Sequence, residues 1–193
     1  MSNHKGPGGN GRSCVVTGST GFVGLNLVDE LLGEGWNVFA VHRPRSRRAK
    51  MLEDLPNAKF RRPGSLNSLK GDIVKDELAE LIADQCGKSS IDTIFHLVNL
   101  KEKDTGFVEF KAERPAMHTT SAGWTPEGGP EHIRVNLDAM HNVIRGARAC
   151  GARRIVYCSS WSAYGMQPAG TVVTELTPSL AEREFPLWGA APY

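Results

Sequence analysis

The stretch Cys14-Val15-Val16-Thr17-Gly18-Ser19-Thr20-Gly21-Phe22-Val23-Gly24 decides how the rest of the chain is read. A β-branched apolar run ends in a turn with glycines at G-x-x-G-x-x-G spacing, and an amphipathic helical pattern starts at once. Three glycines at that spacing do three jobs. One lets the strand turn tightly, one lets a diphosphate approach bare main chain, and one lets helix and strand pack closely. The helix that opens there points free N–H groups and the positive end of its dipole at phosphates. Glycine clusters also mark ordinary turns, but a strand before this one and a helix after it supply the context of a dinucleotide site. Gly18, Thr20, Gly21, Phe22, Val23 and Gly24 are therefore candidate cofactor contacts.

Outward from this turn, Phe22, Val23, Leu25, Leu27, Val28, Leu31 and Leu32 give the helix a broad apolar face, and Gly33 and Gly35 stop it. Trp36 to Val41 reads as a second strand. A carboxylate at the end of that strand would hydrogen-bond the ribose of NAD, whereas an arginine suits the extra phosphate of NADP. The chain has His42-Arg43-Pro44-Arg45-Ser46-Arg47-Arg48 and no carboxylate there. Arg43 stands where a guanidinium can pair with a 2′-phosphate by charge-assisted hydrogen bonds. NADP is thus expected ahead of NAD. The competing readings are a solvated basic helix start and a nucleic-acid patch; the second ranks last, because no aromatic residue interrupts Arg43 to Lys50.

A short helix is expected over Arg48 to Leu55, and a third strand between Phe60 and Leu69, where Pro63-Gly64 interrupts the pattern. Gly71-Asp72-Ile73 follows, then a helix through Leu78, Leu81 and Ile82. Ile91 to Val98 is a fourth strand, buried on both faces as parallel strands usually are. Residues 99–130 break the rhythm with charges, prolines and glycines, a long loop or insertion of the kind that tends to be functional or disordered. Ile133, Leu137, Met140, Ile144 and Ala147 mark a long helix closed by Gly151, and Arg153 to Cys158 a fifth strand running into Ser159-Ser160-Trp161-Ser162-Ala163-Tyr164-Gly165. The remainder to Tyr193 reads as irregular. Strands alternating with helices predict an α/β fold, a Rossmann-like parallel sheet flanked by helices with right-handed crossovers.

Composition sets the outer bounds. A chain of 193 residues, 40% hydrophobic, is enough for one domain with a core. No apolar run reaches the ~18–20 residues that span a bilayer, and residues 1–12 lack the apolar segment of a secretory signal, so they read as a flexible leader. A formal charge of +2 does not point to nucleic acid. The four cysteines show no metal-ligand spacing; Cys14 and Cys158 sit in strand-like runs and read as buried, reduced thiols. A cytoplasmic, reducing compartment is the default expectation.

Several motifs together resemble the extended short-chain dehydrogenase/reductase family, with its nucleotide-sugar epimerases, dehydratases and dihydroflavonol-type reductases. They are Thr17 to Gly24, Gly71-Asp72-Ile73, Phe95-His96-Leu97, Val135-Asn136-Leu137 and Ile155 to Gly165, in the family's order. The resemblance implies that Asp72 and Ile73 hold the adenine, Val98 lies beside the cofactor, and Ser160 is the catalytic serine, with Ser159 as runner-up. It also implies a Tyr-x-x-x-Lys motif, whose lead-in Ala190-Ala191-Pro192-Tyr193 resembles. Tyr193 is the last residue given, and a phenol of pKa ~10 is a poor base without a cation beside it. The chain is therefore expected to lack the family's last strands and substrate lobe and to be inactive alone, with residues 99–117 inserted, as in a truncated or mis-spliced product. The expected activity is NADP-dependent reduction of a carbonyl or oxidation of a secondary alcohol on a small molecule. An epimerase or dehydratase, and a non-catalytic dinucleotide-binding module, are the alternatives. An open sheet edge would favour aggregation or pairing with a second copy.

Overall fold

The computed structural model describes residues 11–57, 63–75, 77–86, 90–98, 129–164 and 167–179. The chain divides into two compact units, Met1–Tyr157 and Cys158–Tyr193. In the first, five parallel strands are ordered β3-β2-β1-β4-β5: β1 Ser13–Thr17, β2 Asn37–His42, β3 Ser65–Lys70, β4 Ile91–His96 and β5 Arg154–Tyr157. The helices between them are α1 Phe22–Gly33, α2 Ala49–Asp54, α3 Glu77–Cys86 and α4 Gly129–Ala149. This is the expected Rossmann-like sheet. Its order reverses between β1 and β4, and such switch points are where open α/β sheets bind ligands.

All five residues of β1 are buried, because the strand is covered on both faces. Successive side chains alternate between two cores. Cys14 and Val16 join Val38, Ala40, Val28, Leu31, Leu32 and Leu52 on the α1–α2 side. Val15 joins Phe39, Val41, Ile94, Ile82, Ala139 and Val143 on the α3–α4 side. Leu32 is completely buried, so Leu32→Ala is expected to lower the unfolding free energy by about 2–5 kcal/mol, read from the midpoint of urea denaturation.

The third strand, expected between Phe60 and Leu69, starts directly after Pro63-Gly64, where the Gly64 N–H donates to Leu32 O (2.9 Å) and the Ser65 N–H to Trp36 O (3.1 Å). Other details depart from the sequence-based expectations. Arg12 is not part of a free leader: its carbonyl accepts from the Asn37 N–H (2.9 Å) and its guanidinium lies 5.4 Å from the Trp36 ring. Gly129 and Pro130, expected to close the long loop, open α4, which fits proline's tolerance in a first helical turn. Phe22 and Val23 are 80% and 55% exposed, because they occupy the first turn of α1, ahead of the part that packs on the sheet.

The buried stripe of α4 also differs. Ala139, Asn142, Val143, Gly146 and Ala147 face the interior, while Leu137 is exposed. Small residues let the helix approach closely, so the large apolar ones mark the flanks rather than the centre of the contact. All four residues of β5 are exposed, and among the described residues it is an edge strand of the sheet. Cys158, expected to be a buried thiol, is exposed in the second unit, just beyond the strand. Residues 99–128 and 180–193, with the expected insertion and Tyr193, lie outside the described residues.

Candidate functional site

Strand register assembles the site. Thr17, the last residue of β1, pairs with Val41 on one side and His96 on the other. The residues that follow these three strand ends are therefore the glycine turn, His42-Arg43, and Leu97-Val98. Gly18 sits at φ +72, and a Cβ built on it would lie 3.1 Å from Val98 Cγ2 and 3.2 Å from the Leu97 carbonyl carbon. Only glycine satisfies both the conformation and the space. A Cβ on Gly24 would run into the carbonyl oxygen of Gly18 and come within 2.8 Å of Ser19 Cα, so the first turn of α1 rests on the turn itself.

The turn closes through the Gly21 N–H donating to Gly18 O (2.9 Å), and the helix begins with the Leu25 N–H to Gly21 O bond (3.0 Å). Gly21 caps α1 in an extended conformation with no side-chain hydrogen bond, and no acidic residue stands in the first turn. The N–H groups of Phe22, Val23 and Gly24 precede that first bond. They form an electropositive helix end without a local carboxylate, which suits a diphosphate.

Side chains lock the surroundings of the turn. Ser19 is buried and donates to Val41 O (2.8 Å). Ser46 Oγ donates to Thr20 Oγ1 (2.9 Å), and the Ser46 N–H to Arg43 O (3.0 Å), so the loop after β2 is tied to the glycine turn. Arg43 is exposed and forms no ion pair with any described residue. His42, not singled out from sequence, is buried beneath it, with Nε2 2.8 Å from Ser68 Oγ and Nδ1 3.0 Å from Arg43 O. A carbonyl only accepts, so Nδ1 carries a proton.

On the far side of β2, the Gly71 N–H donates to His42 O (2.9 Å), which places Gly71 level with Arg43 and Asp72 one residue beyond it at the carboxyl edge of the sheet. Asp72 Oδ1 accepts from the Val74 N–H (3.2 Å). The Ile73 side chain is buried in the core, so this residue can meet a base only through its main chain. Asn142, also missed from sequence, is buried on α4 and donates through Nδ2 to Ile73 O (3.1 Å) and Lys75 O (3.0 Å).

Thr17 Oγ1 and His96 Nδ1 are 2.8 Å apart and buried, and the His96 ring stacks on Tyr157 with centroids 5.6 Å apart. Burial pushes the His96 pKa down to about 4, so the ring is neutral at pH 7. The unfolded chain takes up a proton near pH 6.5 that the folded ring refuses until about pH 4. Stability is therefore held above pH 6.5 and falls as pH drops through this window, by up to about 3 kcal/mol. Urea denaturation across that range is expected to show the slope in the parent chain and to lose it in His96→Phe.

In the second unit Ser160 precedes a 3-10 turn, Trp161–Tyr164, and its carbonyl accepts from the Ala163 N–H (3.0 Å). Ser179 Oγ donates to Ala163 O, and Gln167 Nε2 donates to Tyr164 O (2.7 Å) and Pro178 O (3.1 Å). A groove of about 580 Å³ lined by Arg12, Trp36, Asp92, Phe95, Arg153 and Arg154 opens toward the amino ends of the strands, opposite the glycine turn. Asp92 there is held below the usual carboxylate range, chiefly by the Thr93 hydroxyl, with Arg154 and Arg153 adding to it. Among the described residues, no cluster of His, Cys, Asp and Glu is arranged to hold a metal ion, and no helix is long and apolar enough to cross a membrane.

A parallel sheet in this order, with a glycine turn and an uncapped helix end at its switch point, defines a Rossmann-like dinucleotide-binding fold. The chain belongs to the NAD dependent epimerase/dehydratase family, whose model matches residues 14–113. It is 29% identical to the UDP-glucose 4-epimerase of Mycolicibacterium smegmatis over 156 residues, 80% of this chain and 41% of that protein. It is 30% identical to the 3 beta-hydroxysteroid dehydrogenase/Delta 5-->4-isomerase of Mycobacterium tuberculosis over 146 residues, 76% of this chain and 31% of that protein. The match thus spans about a third to two fifths of the length of these relatives. The crystal structure of UDP-glucose 4-epimerase from Bifidobacterium longum, in complex with NAD+ and UDP, superposes with a TM-score of 0.63 over 86% of this chain and 42% of that one, at 21% identity.

Proposed function

We propose that this chain is the cofactor-binding part of an NADP-dependent oxidoreductase of the extended short-chain type, acting on a carbonyl or secondary alcohol of a small molecule. The observation that carries the reading is the glycine turn at the β1–β4 switch point with Arg43, and no carboxylate, at the end of the neighbouring strand β2. The site fits a dinucleotide: Gly18, by lacking a Cβ, lets the turn pack directly against Leu97 and Val98 at the end of β4, and the N-terminus of α1 has no side-chain cap. In this reading the N–H groups of Phe22 and Val23, beside Thr20, Gly21 and Gly24, hold the diphosphate. Arg43 pairs with the 2′-phosphate, and Asp72 with the main chain of Ile73 meets the adenosine. Val98, packed against Gly18, borders the nicotinamide side. A bound nicotinamide supplies or accepts hydride. Ser160 would hydrogen-bond the substrate oxygen, and Tyr193 would move its proton if a cation lowers its pKa. The similarity to the 3 beta-hydroxysteroid dehydrogenase supports oxidoreduction.

A second reading, an epimerase or dehydratase that retains NAD, is favoured by the similarity to UDP-glucose 4-epimerase. Calorimetric titration of the purified chain with NADPH and with NADH separates them. Saturable binding that favours NADPH is expected. Equal or tighter binding of NADH overturns the NADP assignment in favour of the second reading, and no binding by the folded chain overturns both.

A further inference from the structure

Asn142 lies in the middle of the buried stripe of α4, flanked by Ala139, Val143 and Gly146, where an apolar side chain would pack without any polar atom to satisfy. Its amide spans to the turn after β3 and donates to two carbonyls of that turn, Ile73 O and Lys75 O. The same turn is held from its own side by Asp72, whose Oδ1 takes the Val74 N–H and whose carbonyl takes the Lys75 N–H (3.1 Å). Asp72 is thus one end of a turn whose other end is anchored to a helix 67 to 69 residues away in the chain. Removing the donor leaves two carbonyls facing an apolar helix surface, and the turn is then free to rotate them toward water.

We propose that Asn142 is a positioning residue for the adenosine half of the cofactor site: its two donated hydrogen bonds set the direction in which the 72–75 turn presents the Asp72 carboxylate and the Ile73 main chain. The proposal rests on the dinucleotide reading above, with which it shares Asp72 and Ile73. It does not involve the glycine turn, Arg43 or Ser160.

The test compares the full chain with Asn142→Leu, which keeps the volume and removes the donor, using two readouts. The first needs no ligand: amide hydrogen exchange at Val74 and Lys75 is expected to accelerate about tenfold while the α1 amides are unchanged. The second is titration with AMP and, separately, with nicotinamide mononucleotide. Affinity for AMP is expected to fall about tenfold and that for nicotinamide mononucleotide to stay within about twofold. A merely structural asparagine would lower the melting temperature without moving the ratio between the two half-ligands. Unchanged exchange at Val74 and Lys75, or equal losses for both half-ligands, overturns the proposal. If the parent chain binds neither half-ligand, the dinucleotide reading fails, and the exchange measurement alone decides whether Asn142 orients the turn. Should Asn142→Leu not fold, Asn142→Ala, smaller and also without a side-chain donor, is read in the same way.

Discussion

Gly21→Val is expected to weaken binding of both NADPH and NADH by more than about a hundredfold, with the fold retained. Position 21 is suited to this test because its backbone tolerates a side chain: the residue is extended, at φ −71 and ψ 171. Among the described residues, and apart from its chain neighbours, a Cβ built there comes near Gly18 O, at 3.1 Å, a tight contact that a shift of a few tenths of an ångström relieves. A valine therefore adds bulk beside the open end of α1 rather than inside the core, where the diphosphate is proposed to meet the N–H groups of Phe22 and Val23. Gly18 would be a poorer choice, because its positive φ and the contact with Val98 make any substitution strain the protein as well as the site. Circular dichroism and melting temperature establish that Gly21→Val folds, and calorimetry with each cofactor gives the loss. Unchanged affinity for both would mean that the glycine turn serves the fold alone.

Arg43→Ala is expected to weaken NADPH by about 10- to 100-fold and NADH by no more than about twofold, because only NADPH offers a phosphate to the guanidinium. The loop that carries Arg43 is held in place independently of its side chain. Its carbonyl accepts from His42 Nδ1 and from the Ser46 N–H, and Ser46 in turn bonds Thr20. The alanine variant should therefore keep the loop's shape and lose only the charge. Titrations at low and moderate salt add a second check, since a phosphate–guanidinium pair at an exposed site weakens as salt screens it. Equal losses for the two cofactors would remove the NADP assignment and leave Arg45, Arg47 and Arg48 with it as a solvated basic face.

Much of the architecture was legible in short stretches of the chain. The β-branched run before Gly18 and the 3.6-residue period after it located β1 and α1, and the apolar runs at residues 36–41 and 91–98 located two more central strands. These signals are local: strands covered on both faces are apolar throughout, and a turn that must bring helix against strand needs glycine where backbone meets backbone. Edge strand β3 was harder to place, since most of its residues are exposed and polar, and Asn37 on the neighbouring strand accepts from Ser65 Oγ (2.6 Å) and Asn67 Nδ2 (2.7 Å). Exposure removes the apolar signal by which a strand is found. The large apolar residues of α4 located the helix but not its buried face, for the converse reason: close packing selects Ala139 and Gly146, which carry little hydrophobic signal.

By itself the sequence determined the α/β class, the glycine turn with its helix, and the absence of a carboxylate after β2, because each depends on residues within a few positions of one another. The tertiary structure alone decided which strand ends become neighbours, and hence which distant side chains complete the site. His42 reaches Ser68 across the β2–β3 pair, Thr17 reaches His96 across β1–β4, and Asn142 reaches over from α4 to Ile73 and Lys75. A hydrogen bond between residues so far apart has no local periodicity to betray it. It follows from the order of the strands and from the side of the sheet on which each helix is laid.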